Sequence, residues 1–374
     1  MTDGGVTQGI APGVDAGVEI GVEVGVDVVA PPAGAPLVQV RVVEIVAETA
    51  EACSIVVEPP PDAAAKFTYK PGQFLTLRLP CESGAVARCY SLCSSPHVDE
   101  GMRIAVKRVA SGVGSNWIHD TLAVGDLLDC LPPAGAFTPK ALDEDFLLFA
   151  GGSGITPVLS ILKSALAAGS GRVVLVYANQ HENAVIFADD LRRLAADHPE
   201  RLHVIHWLES VQGLPSHAQL KALAAPYTAY TAFVCGPSPF MESVTHVLRE
   251  LHVPPSRIHI ERFQSLEEDP FAMAAPVAAE PGGATAALAI ELDGARHTFD
   301  WPTQTKLLDF LLEKGLDAPF SCRQGACSAC ACILDSGEVK MIKNEILDQS
   351  DLDEGYVLAC QALPITDSVS IRYS

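Results

Sequence analysis

The sequence predicts a multidomain protein: an antiparallel β-barrel, a doubly wound α/β domain, and a small α+β unit. Three observations carry this. Residues 37–141 hold short β-type runs separated by Gly, Pro and polar turns, the pattern of a small barrel. From Asp145 strands alternate with helices through glycine turns, which implies a parallel sheet. A Pro-, Ala- and Gly-rich stretch at 269–286 reads as a linker and sets off a compact last segment, 287–374.

The elements follow in order. In "GVDAGVEIGVEVGVDV", Gly recurs at 13, 17, 21 and 25, and apolar residues occupy the even positions. The alternation fits a strand, but repeated Gly and uncompensated acids weaken one. We expect residues 1–36 to be a disordered low-complexity tail, with an edge strand as the alternative. "LVQVRVVEIV", "CSIVVE", "QFLTLRLP", "RIAVKRV" and "GDLLDCLPP" are the barrel strands. In 142–268 the buried strands are "DFLLFA", "RVVLVYAN", "RLHVIHWL" and "TAFVCG", with helices over "VLSILKSALAAG", "AVIFADDLRRLAADHP" and "SPFMESVTHVLRELHV". In the last unit "ALAIELDG" and "RHTFDW" form a hairpin. "TKLLDFLLEKG" then gives a helix with Leu307, Leu308, Leu311 and Leu312 on its apolar face and Gly315 as its stop.

Composition narrows the function. Lys plus Arg number 25 against 46 Asp plus Glu, a net charge of −21 that argues against non-specific nucleic-acid or anionic-membrane binding. No run of eighteen apolar residues exists, so no membrane span is expected. Met1 to Ile10 lacks a basic start and apolar core, so no signal peptide is expected. With 11 cysteines, this points to a reducing cytoplasm where thiols act as ligands, catalytic groups or core filler.

"SCRQGACSACAC" holds Cys322, Cys327 and Cys330 as C-x4-C-x2-C, and Cys360 follows in "YVLACQ". This is the plant-type [2Fe–2S] spacing. A loop lets three thiolates converge while a neighbouring strand brings the fourth. Gly325, Ala326, Ser328 and Ala329 let backbone amides approach the inorganic sulfides. Cys332 competes for the fourth position and is assigned to the core. A zinc site would show paired C-x2–4-C knuckles, and only one is present. The histidines, His97 and His119 among them, show no ligand pattern.

Other motifs are weaker singly. In "ARCYSLCSSP", Arg88 suits a diphosphate, Tyr90 a flat ring and Ser91 a ring nitrogen, although an ordinary strand is the alternative. "SGVGSNW" places Gly114 and Ser115 before a helix over "NWIHDTL", where free amides suit a phosphate or form a plain cap. "GGSGITP" offers Gly151, Gly152 and Gly154 for close approach of a pyrophosphate and Thr156 as a cap, with a structural glycine turn as its rival. "CGPSPF" puts Cys235, Gly236 and Pro237 at the carboxyl edge of the sheet, where such folds bind ligands.

Together R-x-Y-S, G-G-x-G-x-T-P, C-G-P and the cysteine set resemble the ferredoxin–NADP reductase superfamily with a C-terminal ferredoxin domain, over residues 37–374. "PGQFLTLRLP", "HWLESVQGLP", "SLEEDPF", "DAPFSCRQGACSACAC" and "DLDEGYVLACQ" are similar to the reductase components of 3-ketosteroid 9α-hydroxylases. The resemblance implies an FAD-binding barrel at 37–141, an NAD-binding domain at 142–268 and a β-grasp [2Fe–2S] ferredoxin domain at 287–374. It also implies a Rieske-type oxygenase as electron acceptor. Arg88, Tyr90 and Ser91 become the flavin set, with Ser91 near N5. Val106 and Lys107 fall at the ribityl region, Gly114 and Ser115 at the FAD diphosphate, and Phe263 over the flavin. Gly152, Gly154 and Thr156 match the NAD pyrophosphate turn. Cys235 and Gly236 match the nicotinamide edge, and Ser91 and Cys235 are the candidate catalytic residues.

The family pattern Y-A-N-R is here Tyr177-Ala178-Asn179-Gln180. Gln180 cannot pair with a 2′-phosphate and Glu182 repels one, so NADH is favoured over NADPH. Arg192 and Arg193 are read as a solvated helix face. The expected enzyme is a cytoplasmic, monomeric oxidoreductase that passes electrons from NADH through FAD and [2Fe–2S] to its oxygenase. Alternatives are the reductase of a phenylacetyl-CoA, aromatic-ring or alkane hydroxylase, or a non-enzymatic redox sensor. Residues 274–287 are expected to let the ferredoxin unit reorient. Glu345, Asp348, Asp351, Asp353 and Glu354 are expected to offer the acceptor a negative rim.

Overall fold

The computed structural model describes Met1 and residues 37–82, 84–266, 269–271, 283–347 and 349–373. The expected 1–36 tail (apart from Met1), most of the linker and Asp348 lie outside the described residues.

Six antiparallel strands come first: β1 (Val38–Thr49), β2 (Ala52–Glu58), β3 (Phe74–Cys81), β4 (Gly84–Ser91), β5 (Met102–Lys107) and β6 (Leu127–Ala134), in the order β4-β3-β6-β1-β2-β5. A bridge from Leu92 to Ile104 joins the two edges and closes the sheet into a barrel. Its core takes every second residue of each strand, as the pleat demands: Leu75, Leu77 and Leu79 from β3 meet Val40, Val42, Ile55 and Ile104. Helix α1 (Val113–Asp120) covers one end through Ile118. It starts earlier than the sequence suggests, so Gly114 and Ser115 lie in its first turn.

The second domain runs β7 (Phe146–Gly151), α2 (Ile155–Ala168), β8 (Val173–Asn179), α3 (Ala188–Asp197), β9 (Leu202–Leu208), α4 (Glu209–Gln212), α5 (His217–Ala224), β10 (Thr231–Cys235), α6 (Ser238–Glu250) and β11 (Ile258–Glu261). All five strands are parallel, in the order β11-β10-β7-β8-β9. One apolar cluster packs α2 and α3 on one face and another packs α5 and α6 on the other, so the strands read as continuous apolar runs. Strand order reverses between β7 and β10, which opens a crevice at their carboxyl ends. The fifth strand, β11, is not apparent in the sequence: it is four residues long and half-buried throughout.

The third domain comprises β12 (Thr285–Leu292), β13 (Ala295–Pro302), α7 (Leu307–Glu313), β14 (Ala331–Ser336), β15 (Val339–Met341), α8 (Gln349–Asp353), β16 (Tyr356–Leu358), β17 (Ala362–Pro364) and β18 (Ser368–Arg372). The mixed sheet runs β13-β12-β18-β14-β16. The expected hairpin forms through Asp293 and Gly294, whose φ of 51° and 74° are those of a type I′ turn. Helix α7 buries Leu307, Leu308, Phe310 and Leu311, while Leu312 is only partly covered, so Phe310 takes the place expected for it.

The barrel and the third domain share a boundary. Ala87 of β4 and Leu131 of β6 belong to the same apolar cluster as α7 and the cysteine loop. Arg78 pairs with Asp269 at 3.4 Å, and Lys66 pairs with Asp317. Among the described residues no helix is long and apolar enough to cross a membrane.

Candidate active site

Two cavities and one thiol loop hold the predicted residues. A cavity of about 300 Å³ runs along the end of β4, β5 and the first turn of α1. Arg88, Tyr90, Ser91, Val106, Lys107, Gly114, Ser115, Thr156 and Phe263 all line it. Cys89, Ser153, Gln264 and Ser265 also line it and were not identified from sequence. Cys89 was visible only as the variable position of R-x-Y-S.

Local chemistry fits this cavity to a phosphate-bearing, flat ligand. A Cβ at Gly114 would lie 2.9 Å from Leu79 Cδ1, 3.3 Å from Arg88 Cγ and 3.6 Å from Tyr90 Oη. A side chain here would crowd the helix start against Leu79 and Arg88. Ser115 Oγ accepts from Val109 N at 3.1 Å, which ties the loop down and leaves the first-turn amides to face an anion. Burial pushes the Tyr90 phenol well above its ordinary value, so it stays neutral. Phe263 is 51% exposed, a large apolar ring left uncovered at the cavity wall.

The second cavity, about 440 Å³, opens at the carboxyl ends of β7 and β8. Gly151, Gly152, Asn179, Gln180, Glu209, Trp207, Pro237 and Phe240 line it. Asn179 Nδ2 is buried without a hydrogen-bond partner, a donor left for an incoming acceptor. Lys107 lines both cavities, so the two adjoin. Arg192 and Arg193 pair with Asp189 and Asp190 on α3 and line neither cavity.

Three predicted residues fall elsewhere. Cys235 is wholly buried, and neither it nor Gly236 lines either cavity. Burial, and then the charge of Glu261, raise the Cys235 thiol well above its ordinary value. Gly154 packs under β10: a Cβ there would lie 2.3 Å from Cys235 O. Its glycine requirement is therefore one of helix–strand contact. Thr156 Oγ1 donates to Ser153 O at 3.1 Å and faces the first cavity, not the second.

The four loop thiols fall into two pairs, Cys322 with Cys327 and Cys330 with Cys360. Hydrogen bonding within each pair pushes Cys322 and Cys360 down and Cys327 and Cys330 up. Cys322 Sγ accepts from Gln324 N at 3.3 Å and Ala326 N at 3.5 Å. Cys327 Sγ accepts from Cys322 N at 3.4 Å, and Cys330 Sγ from Cys360 N at 3.4 Å. Two thiol pairs ringed by amide donors match what two irons with bridging sulfides need. The loop reaches this shape through left-handed residues at Arg323, Gly325 and Ser328, with φ of 56°, 76° and 55°. A Cβ at Gly325 would meet Lys343 O at 2.7 Å. Arg323 is held by Asp309 and by Gln361 Nε2, which donates to Arg323 O at 2.9 Å. Cys360 sits in the turn after β16, not on a strand as expected. Cys332 lies on β14, 1% exposed, with Sγ donating to Val357 O at 3.7 Å, away from the pairs.

The fold also gathers two histidines that stand apart in the sequence. The fold brings His217 to α6, where its Nε2 lies 3.2 Å and that of His246 3.3 Å from Glu250 carboxylate oxygens. Lys221 Nζ shares that carboxylate at 3.2 Å, which makes the exposed cluster an ion-pair network. Of the expected acidic rim, Asp353 and Glu354 are exposed, while Glu345 pairs with Lys343 at 3.0 Å.

Comparison with known proteins agrees with this division. Three family descriptions match: an oxidoreductase FAD-binding domain at 44–138, an oxidoreductase NAD-binding domain at 148–246, and a 2Fe-2S iron-sulfur cluster binding domain at 290–364. The ferredoxin reductase component of 3-ketosteroid-9-alpha-monooxygenase from Rhodococcus rhodochrous is 52% identical, covering 91% of this chain and 98% of that one. The same component from Mycolicibacterium smegmatis is 53% identical, with the same coverage. Phthalate dioxygenase reductase, described as a modular structure for electron transfer from pyridine nucleotides to [2Fe-2S], aligns with a TM-score of 0.54 at 21% identity. It covers 90% of this chain and 98% of that one, a likeness of fold.

Proposed function

The chain belongs to the family of oxidoreductases that join FAD-, NAD- and [2Fe–2S]-binding domains, with the ferredoxin reductase components of 3-ketosteroid-9-alpha-monooxygenase, and on that premise we propose that it passes electrons from NADH to the oxygenase of such a system. The proposed acceptor is a Rieske-type oxygenase, and the proposed setting is a cytoplasmic monomer. All eleven cysteines are free thiols, which suits that compartment.

The observation that carries the reading is the meeting of the two cavities at Lys107, with the thiol loop behind the same barrel strands. When bound, FAD takes two electrons as hydride from the nicotinamide and the cluster takes one at a time, so a pair becomes single electrons. The chain's own residues position these groups. Arg88 and the first-turn amides of Gly114 and Ser115 hold the diphosphate. Tyr90 would offer its ring face and Ser91 its hydroxyl to the flavin, and Val106 and Lys107 would wall the same cavity. Phe263 covers the open side. Gly152 and the Asn179 amide receive the dinucleotide, and Gln180 beside Glu209 leaves a 2′-phosphate without a cation. Gly154 and Cys235 act through packing at the switch point. Cys322, Cys327, Cys330 and Cys360 are the iron ligands.

An anaerobic visible-absorption titration tests this. Bleaching of flavin and iron–sulfur bands by stoichiometric NADH is expected, with NADPH far less effective. Reconstituted protein that NADH leaves unbleached would overturn the reading and favour a redox-sensing protein.

A further inference from the structure

The contact between the thiol loop and the barrel is specific. Strand β3 alternates Leu75, Leu77 and Leu79 into the barrel with Thr76 and Arg78 on the outer face. Strand β4 pairs Cys89 with Thr76, and β6 pairs Leu131 with Thr76. On this outer face Thr76 Oγ1 lies 2.7 Å from Ser321 Oγ and 3.4 Å from Cys89 Sγ. Thr76 and Ser321 are each 1% exposed. Ser321 precedes the ligand Cys322, and Cys89 lines the first cavity. Three side chains thus bridge the flavin cavity and the cluster loop.

We propose that Thr76, Ser321 and Cys89 form a latch that seats the ferredoxin domain on the barrel and sets the contact across which electrons reach the cluster. This rests on the reading above. The chemistry is simple: flavin reduced by NADH gives up one electron, and one ferric ion of the cluster gains it, with no bond made between the domains. Two buried hydroxyls 2.7 Å apart across the boundary form a bond that undocking must break. Arg78–Asp269, Lys66–Asp317 and the apolar contact of Ala87 and Leu131 surround it. Thr76 and Ser321 are positioning residues, and Cys89, half-buried and hydrogen-bonded to both, reports on their contact.

The test uses the full-length, cofactor-loaded protein with Thr76→Val, which keeps shape and removes the hydroxyl. In stopped-flow with NADH the flavin should bleach at the wild-type rate, while cluster reduction slows about tenfold, as a lost buried hydrogen bond would give. A second readout needs no turnover: alkylation of Cys89 by iodoacetamide, followed by peptide mass spectrometry, should quicken by a similar factor. Thr76→Ser should restore both. Wild-type cluster reduction and Cys89 alkylation in Thr76→Val would overturn the latch. Should Thr76→Val fail to fold, Ser321→Ala with iron content checked must show the same pair of effects, or the latch is wrong. If NADH fails to reduce wild-type flavin, the functional reading falls, and the alkylation rates still decide the latch.

Discussion

Gly152 and Gly154 stand two residues apart in one turn, yet the structure assigns them opposite duties, and alanine at each separates these. At Gly154 a Cβ would lie 2.3 Å from Cys235 O, 2.5 Å from Cys235 C and 2.7 Å from Gly236 N. These are backbone atoms of β10, so α2 and the strand must part by about 1 Å to reach ordinary contact. Overpacking of this kind costs about 1–3 kcal/mol or more, against about 0.4–1 kcal/mol regained from the stiffer unfolded chain. Gly154→Ala should therefore lower the melting temperature of the nucleotide domain by roughly 4 °C or more. At Gly152 nothing lies within 4 Å of a Cβ, and φ is +52°. Gly152→Ala meets only the left-handed backbone penalty of about 1–2 kcal/mol, and its methyl points into open space at the second cavity. It should weaken NADH binding with a smaller loss of stability. Thermal unfolding by circular dichroism and NADH titration by fluorescence give both quantities. A Gly154→Ala protein as stable as wild type but poor in NADH binding would refute the packing assignment.

Other outcomes follow from the same geometry. Gln180→Arg should raise kcat/KM for NADPH relative to NADH by roughly tenfold, since one charge-assisted contact is worth about 1.5 kcal/mol; an unchanged ratio would show that Gln180 does not face the 2′ position. Cys360→Ser should lose its iron, while Cys332→Ala should retain two irons per chain at a stability cost of about 1 kcal/mol, both read by iron analysis and visible absorption. Glu261 sits at the end of β11, and burial lifts its carboxyl from 4.5 to about 7. Its folded value exceeds the unfolded one, so the native state holds the extra proton between pH 4.5 and 7. Stability contributed by this group thus falls as pH rises through that window, by up to about 3 kcal/mol. Glu261→Gln should flatten that slope in denaturant melts, and parallel wild-type and variant curves would exclude it.

Features whose cause is local were legible in the sequence. Five of the six barrel strands declare themselves by alternation and turn residues, while β4 shows only as the alternative reading of R-x-Y-S; the C-x4-C-x2-C loop declares itself by spacing. Strand β11 was not, because four half-buried residues carrying His and Glu show neither an apolar run nor a clean period. The cavity walls depend on distant partners: Trp207 and Phe240 look like ordinary core or helix residues until the sheet brings them to one crevice. Gly154 and Thr156 share a motif with Gly152 but turn to different neighbours, which spacing alone does not reveal. Thr76 and Ser321 stand 245 positions apart.

The β3–β4 hairpin has two clients. One side fills the barrel and presents Arg88 and Tyr90, and the other receives the ferredoxin domain. With flavin and cluster held as proposed, the gap between them would be gauged by the thickness of a β-layer, not by the length of chain that joins the domains. Residues can be gained or lost in the joining segment without retuning the transfer distance. A one-residue slip of the hairpin, by contrast, would exchange the two faces and spoil both sites together.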